Sequence, residues 1–319
     1  MKPAMAMRDP AAAGRMPALT GPALVAAVLL AGAAAPLVLP PFTIHLLALV
    51  LCYGTWAMSF GLVMGQLGLT SFGHAALFGG GAYAAAWVAL NLSDSLAGGL
   101  AAGGLFGAAM GAVMGLVLGR LSGVAFSIGS LAFGGMVTQV ANSWAEVTGG
   151  SDGLVGLPFP RLFGRELGDR ALYAAAAALA VLTWVGLRAL LRRRAGLVVH
   201  AVRDDPLRAA SSGIAVHAVR VATLAGSGLL AGLAGGVSAF VVGSVAPSAL
   251  DWSASGSVLV MAVVGGVSSV TGPFLGAVGY TLFEQALSQV LPNYRLVLGL
   301  AFIAAVLLSP VDRRGRRDA

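Results

Sequence analysis

Residues 96–119 read LAGGLAAGGLFGAAMGAVMGLVLG, an apolar run with no charge and a glycine at every fourth position from Gly99 to Gly119. A helix of about 20 such residues crosses the hydrocarbon core of a bilayer. Four residues advance about 400° on an α-helix, so the bare positions form a ridge that drifts about 40° per step. Missing side chains let a neighbouring backbone approach, and in lipid close packing is what joins helices. The run predicts a transmembrane helix, crossed obliquely or packed by more than one neighbour. Gly228, Gly232 and Gly236 repeat the spacing in a later apolar stretch.

The rest of the chain agrees with that reading. Of 319 residues, 58% are hydrophobic and 10% charged, and the mean hydropathy is +0.90. Soluble domains carry about 25% charged and about 45–50% apolar residues. A soluble enzyme, a secreted disulfide scaffold and a disordered tail are thereby excluded. Further span-length windows fall at 18–39, 43–64, 74–91, 121–143, 171–191 and 219–243, with a shorter one at 295–310. Between Ser255 and Val290 the only charge is Glu284, and the stretch is too long for one span. Gly265, Gly266, Gly272 and Pro273 divide it into two short helices joined by a break. The expected fold is all-α, a polytopic transmembrane bundle of about ten membrane segments with glycine-rich packing and broken or short helices. Residues 1–319 are expected to form one transmembrane domain with no soluble module. The first hydrophobic segment is longer than a signal-peptide core and reads as an anchor.

Arginine and lysine mark the cytoplasmic side of a membrane protein. The tails 1–17 (Lys2, Arg8, Arg15) and 311–319 (Arg313, Arg314, Arg316, Arg317) are both expected inside, which requires an even number of crossings. Alternation then puts 192–218 inside, with Arg192, Arg193, Arg194, Arg203 and Arg208. It puts 145–170 outside, where Glu146, Asp152, Glu166 and Asp169 offset Arg161, Arg165 and Arg170. The loop 244–254, holding Asp251 alone, also falls outside. The net charge of +7 therefore records orientation, and no nucleic-acid partner is expected.

Several chemistries drop out. Cys52 is the only cysteine, and the four histidines form neither HxxxH nor HExxH pairs, so no metal site is expected. Lys2 is the only lysine, so the chain has no Walker A lysine of its own. Nucleotide-driven work must come from another subunit. Gly149-Gly150-Ser151-Asp152-Gly153 matches GxSxG, but that motif needs a strand-to-helix turn and a later histidine. His200 and His217 lie on the opposite face, so a turn shaping the outer mouth is expected. No catalytic residue and no cofactor is assigned.

Two stretches invite function. Polar groups inside a membrane are costly and commonly functional. In Gly65-Gln66-Leu67-Gly68-Leu69-Thr70-Ser71-Phe72-Gly73-His74, glycines and polar side chains break an apolar run, which membranes tolerate only against protein or a water-filled cavity. Gln66, Thr70, Ser71 and His74 are candidate pathway-lining residues; helix capping and packing polarity is the competing reading. The second stretch, 195–214, is the most informative cytoplasmic one. Asp204 or Asp205 can cap a helix beginning at Pro206, and Gly213 can end it. Docking element and ordinary connector fit that pattern equally.

From about residue 54 to 290 the chain resembles the LivM-type permease family of branched-chain amino acid ABC importers. The resemblance rests on GQLGLTSFGHAALFGGGAYAAA (65–86), TGGSDGL (148–154), AVRDDPLRAASSGIAV (201–216), LLAGLAGGVSAF (229–240) and VAPSALDWSASGSVLVMAVVGGVSSVTGPFLGA (245–277). The TGG-x-DGL element favours the LivM-type subunit over its LivH-type sister. The resemblance implies a bacterial cytoplasmic (inner) membrane importer with two ATP-binding cassette subunits and a second, LivH-like permease. It also implies a periplasmic or extracellular substrate-binding protein and a small-molecule solute, a branched-chain amino acid or related compound. Carried residue by residue, Arg203, Asp204, Asp205 and Arg208 of the coupling segment would face the ATPase, with Gly213 closing it. The family often has a glutamate-rich stretch where Asp204, Asp205 and Pro206 stand here. The rival from another class is an ion-gradient-driven secondary transporter acting without an ATPase.

Overall fold

The computed structural model describes residues 39–162 and 164–290, together with 296, 297, 299 and 300. The windows 18–39 and 295–310 and both tails therefore lie largely or wholly outside the described residues. Within them the helices are α1 Pro41–Gly61, α2 His74–Asn91, α3 Leu96–Leu118, α4 Gly123–Ser143, the short α5 Ala145–Thr148, α6 Asp169–Arg192, α7 Arg194–Asp204, α8 Pro206–Ser211, α9 Val216–Val242, α10 Trp252–Gly265 and α11 Thr271–Val290.

Among the described residues, five helical stretches are long and apolar enough to cross a membrane: Pro41–Gln66 (α1 with its π-helical extension), α3, α4, α6 and α9. Helix α2 has 18 residues but includes His74 and Asn91. Helix α10 has 14 residues, a rise of about 21 Å against a core of about 30 Å. The expected break is present: α10 ends at Gly265 and α11 starts at Thr271. Gly272 and Pro273 stand in the first turn of α11, where a proline costs no internal hydrogen bond.

The stretch containing α1 is 78% buried and α9 67%, against 33%, 28% and 22% for α3, α4 and α6. α1 and α9 are thus the centre of the bundle, and the other three keep open faces. The glycine ridge explains how α3 attaches. Side chains placed at Gly107, Gly111 and Gly115 would run into Gly228, Leu224 and Val221, so α3 lies antiparallel along α9. Two ridges of the same spacing cross obliquely and stay matched over several turns. A second neighbour enters at Gly103, where a Cβ would sit 2.8 Å from the Gly81 carbonyl oxygen of α2. The drifting ridge therefore meets more than one neighbour, with α9 as the main partner.

The connections sort onto two ends of the bundle. At one end meet the stretch 62–73, the turn 119–122, the segment 193–215 and the break 266–270. Arg203 donates to the Gly65 carbonyl, Gln66 reaches the Ser268 carbonyl, and Arg220 donates to the carbonyls of Gly119 (2.9 Å) and Leu121 (3.0 Å). Arg220 is 7% exposed, and its charge satisfies carbonyls that the end of α3 leaves open.

At the other end meet 92–95, 144–168 and 243–251. This end is more than plain loop: it carries two antiparallel ladders of two-residue strands. β1 (Leu154–Val155) pairs with β4 (Ser244–Val245), and β2 (Arg161–Leu162) with β3 (Arg165–Glu166). Backbone outside the helices must find partners, and these short ladders supply them. Arg161 pairs with Glu166 at 2.8 Å and with Asp94 at 3.3 Å. The hydrogen bond to Glu166, then the Asp94 charge, push the Arg161 pKa up. These two sets of connections are the ones that alternation of the spans puts on opposite faces. GGSDG, on the second of them, forms a turn of consecutive positive-φ glycines and a 3-10 turn, with no elbow from strand to helix.

Candidate functional site

The broken stretch begins where α1 widens into a π-helical turn, Leu62–Gln66. The Leu67 N–H bonds back to the Leu62 carbonyl at 3.2 Å, and Gly68 then adopts φ +78, a left-handed conformation that releases the chain from the helix. Residues 69–73 run on as irregular backbone inside the bundle. Serines from neighbouring helices satisfy their polar groups. Ser127 of α4 donates to the Thr70 carbonyl at 2.9 Å, and the Phe72 N–H donates to Ser130 at 3.0 Å. The Ala75 N–H, in the first turn of α2, donates to Ser255 of α10 at 2.9 Å.

His74 is fully buried, with its Nε2 3.1 Å from Ser59 Oγ and its ring edge-on to Phe60. Ser59 gives its one proton to the Trp56 carbonyl at 2.7 Å. With that proton engaged, Ser59 Oγ is left to accept, and His74 Nε2–H is the donor that fits it. Ser227 of α9 donates to the Ser59 carbonyl at 2.7 Å, which ties this pair to the central helix. Ser71 is also fully buried, against Met114 of α3. Thr70 is half-buried and Gln66 nearly buried.

The arginine-rich segment folds as α7 and α8. Asp205 caps α8: its carboxylate accepts from the Leu207 N–H at 3.1 Å and the Arg208 N–H at 3.0 Å. A cap of this kind is worth about 1 kcal/mol and fixes where the helix starts. Arg208 leans back on Asp205 at 3.5 Å and remains exposed. Gly213, at φ +83, ends the element, and the Ile214 N–H returns to the Ala209 carbonyl at 3.1 Å. Asp204 is exposed at the end of α7.

Arg203 turns toward the bundle and donates to the Gly65 carbonyl. One turn earlier, His200 Nε2 lies 2.7 Å from Gln66 Oε1. The structure thus brings Gln66 and Arg203, read from sequence as parts of separate sites, into one cluster. Asp205, Arg208 and Gly213 shape the neighbouring surface helix. Among the described residues, the hydrogen bonds around Thr70 and His74 run to Ser127 and Ser59 and leave Arg203 and Asp205 apart from them.

Sequence reasoning missed several participants. Ser59, Ser127, Ser130 and Ser255 passed as ordinary small hydroxyls, although irregular backbone at depth requires such partners. Leu207, 83% exposed at the first turn of α8, was hidden by attention to its charged neighbours.

The family described as "Branched-chain amino acid transport system / permease component" matches residues 42–308. The chain is 26% identical over 308 residues to the high-affinity branched-chain amino acid transport system permease protein LivM of Escherichia coli (strain K12), covering 89% of this chain and 72% of that one. The LivM protein of Salmonella typhimurium (strain LT2) matches with the same identity and coverage. No solved structure matches. Neither relative favours the gradient-driven alternative, and the helical membrane bundle agrees with both. The chain belongs to the branched-chain amino acid transport system permease-component family, as a LivM-type multi-pass membrane permease subunit of an ABC transporter.

Proposed function

We propose that this permease moves branched-chain amino acids or related small polar solutes into a bacterial cell across the cytoplasmic membrane. Its partners are two ATP-binding cassette subunits, which hydrolyse ATP, a second LivH-like permease and an extracytoplasmic substrate-binding protein. One domain of about ten membrane segments spans residues 1–319. The tails 1–17 and 311–319 and the coupling segment 195–214 face the cytoplasm, and 145–170 faces outside. Arg203, Asp204, Asp205, Arg208 and Gly213 belong to the docking element. Gln66, Thr70, Ser71 and His74 line the solute path when the broken stretch opens.

The observation that supports this reading most is the pairing of an exposed, capped helix, Pro206–Ser211, with a direct hold on a membrane break one turn away. A motor gripping such a helix pulls on the membrane interior through α7. Leucine, isoleucine and valine are the solutes to test first. In proteoliposomes holding the full assembly, uptake should require ATP on the side of the ATPases and persist with an uncoupler. Uptake that collapses with the uncoupler and ignores ATP would contradict the proposal.

A further inference from the structure

Resting on the importer reading, we infer that Gln66 is a two-ended latch through which α7 holds both membrane breaks, 67–73 and 266–270, so that movement of the docking segment reaches them together. Its side-chain oxygen accepts from His200 Nε2 at 2.7 Å, and its side-chain nitrogen donates to the Ser268 carbonyl at 3.5 Å, the long end of a hydrogen bond. The reverse orientation of the amide would set its oxygen against the Ser268 carbonyl oxygen, two acceptors facing each other. A side-chain amide presents an acceptor to one element and a donor to the other at any pH.

The backbone around Gln66 is held as well. Arg203 donates to the Gly65 carbonyl, and Arg203 Cγ lies 3.1 Å from where a Cβ on Gly68 would stand. On the opposite side, a Cβ on Gly65 would fall on the Val267 carbonyl, so the π-helical turn that carries Gln66 touches the second break backbone to backbone. Beside Gln66 is a void of ≈10 Å³ bordered by Leu187, Leu191 and Ser269, room for one water at most. The amide cannot swing free into it. A shift of α7 must therefore carry Gln66, and with it the Ser268 carbonyl, or break the bond from His200. Gln66 is a positioning residue: it acts on the solute path through the segments it ties.

The test uses the complete ATPase-bound assembly with Ser268→Cys as reporter, since Ser268 is exposed and the native Cys52 is fully buried. Maleimide labelling at this position is compared between the nucleotide-free and the vanadate-trapped states. With Gln66 present, the labelling rate should change by about fivefold or more between states, the size of an ordinary coupling between sites. With Gln66→Met, which keeps the length and loses both bonds, the two rates should converge. If Gln66→Met does not accumulate, His200→Leu at the half-buried partner should likewise abolish the response. An undiminished response in these variants, or no response with Gln66 intact and ATP turning over, overturns the latch. A chain that retains no ATPase refutes the importer reading itself, and with it the latch.

Discussion

Gly107→Leu is expected to yield no monodisperse protein after detergent extraction, whereas Gly226→Leu should purify like the unaltered chain. A Cβ at position 107 would fall on the Gly228 carbonyl, part of a rigid backbone, while one at 226 meets nothing within 4 Å. Backbone atoms cannot rotate aside as side chains do, so α3 and α9 would have to separate along several turns. Overpacking of an ordinary core costs about 1–3 kcal/mol. Here the cost reaches the upper end of that range or beyond, because close packing is itself what joins helices in lipid. Both substitutions add the same apolar side chain to a membrane helix, so the comparison isolates the contact. Size-exclusion profiles and thermal melting of the two variants provide the measurement. Equal behaviour would show that the glycine ridge is not the α3–α9 interface.

Leu207→Asp should strip the ATPase subunits from the assembly and reduce uptake by about 30-fold or more, the loss of one central interface contact of about 2 kcal/mol. Leu207 is more exposed than any other large hydrophobic residue among those described. It stands on a helix that begins at Pro206, under the cap of Asp205. The aspartate removes no buried contact, so the isolated permease should melt unchanged. Co-purification of the ATPases followed by an ATP-driven uptake assay separates docking from folding. Full retention of the ATPases with Leu207→Asp would remove α8 as the docking element.

The helices were legible because the membrane demands long uninterrupted apolar runs and punishes polar interruptions. The window 74–91 coincides with α2, and 96–119 with α3 to within a residue. Ser95 marks the start of α3, its hydroxyl accepting from the Gly98 N–H at 3.4 Å. The break after Gly265 was legible because glycine and proline interrupt helices locally. Pairing was less legible. Gln66 and His200 are 134 residues apart, and no local pattern says that an amide in one segment faces an imidazole in another. Arg220 was hidden for a related reason: an arginine near a span end reads as an orientation mark. Its two carbonyl partners at Gly119 and Leu121 exist only once α3, α4 and α9 have met. The short strands of 154–166 and 244–245 were hidden because two-residue ladders have no periodicity to detect.

The account depends on which side of the membrane the arginine-rich connections occupy. Ser212→Cys and Ser151→Cys place single reporters on exposed positions of the two opposite sets of connections, over a background in which Cys52 is fully buried. With a membrane-impermeant maleimide applied to intact spheroplasts, the account predicts labelling at Ser151→Cys and none at Ser212→Cys until the membrane is opened. Labelling of Ser212→Cys from outside, with Ser151→Cys protected, would contradict it, because no cytoplasmic motor could then reach α8.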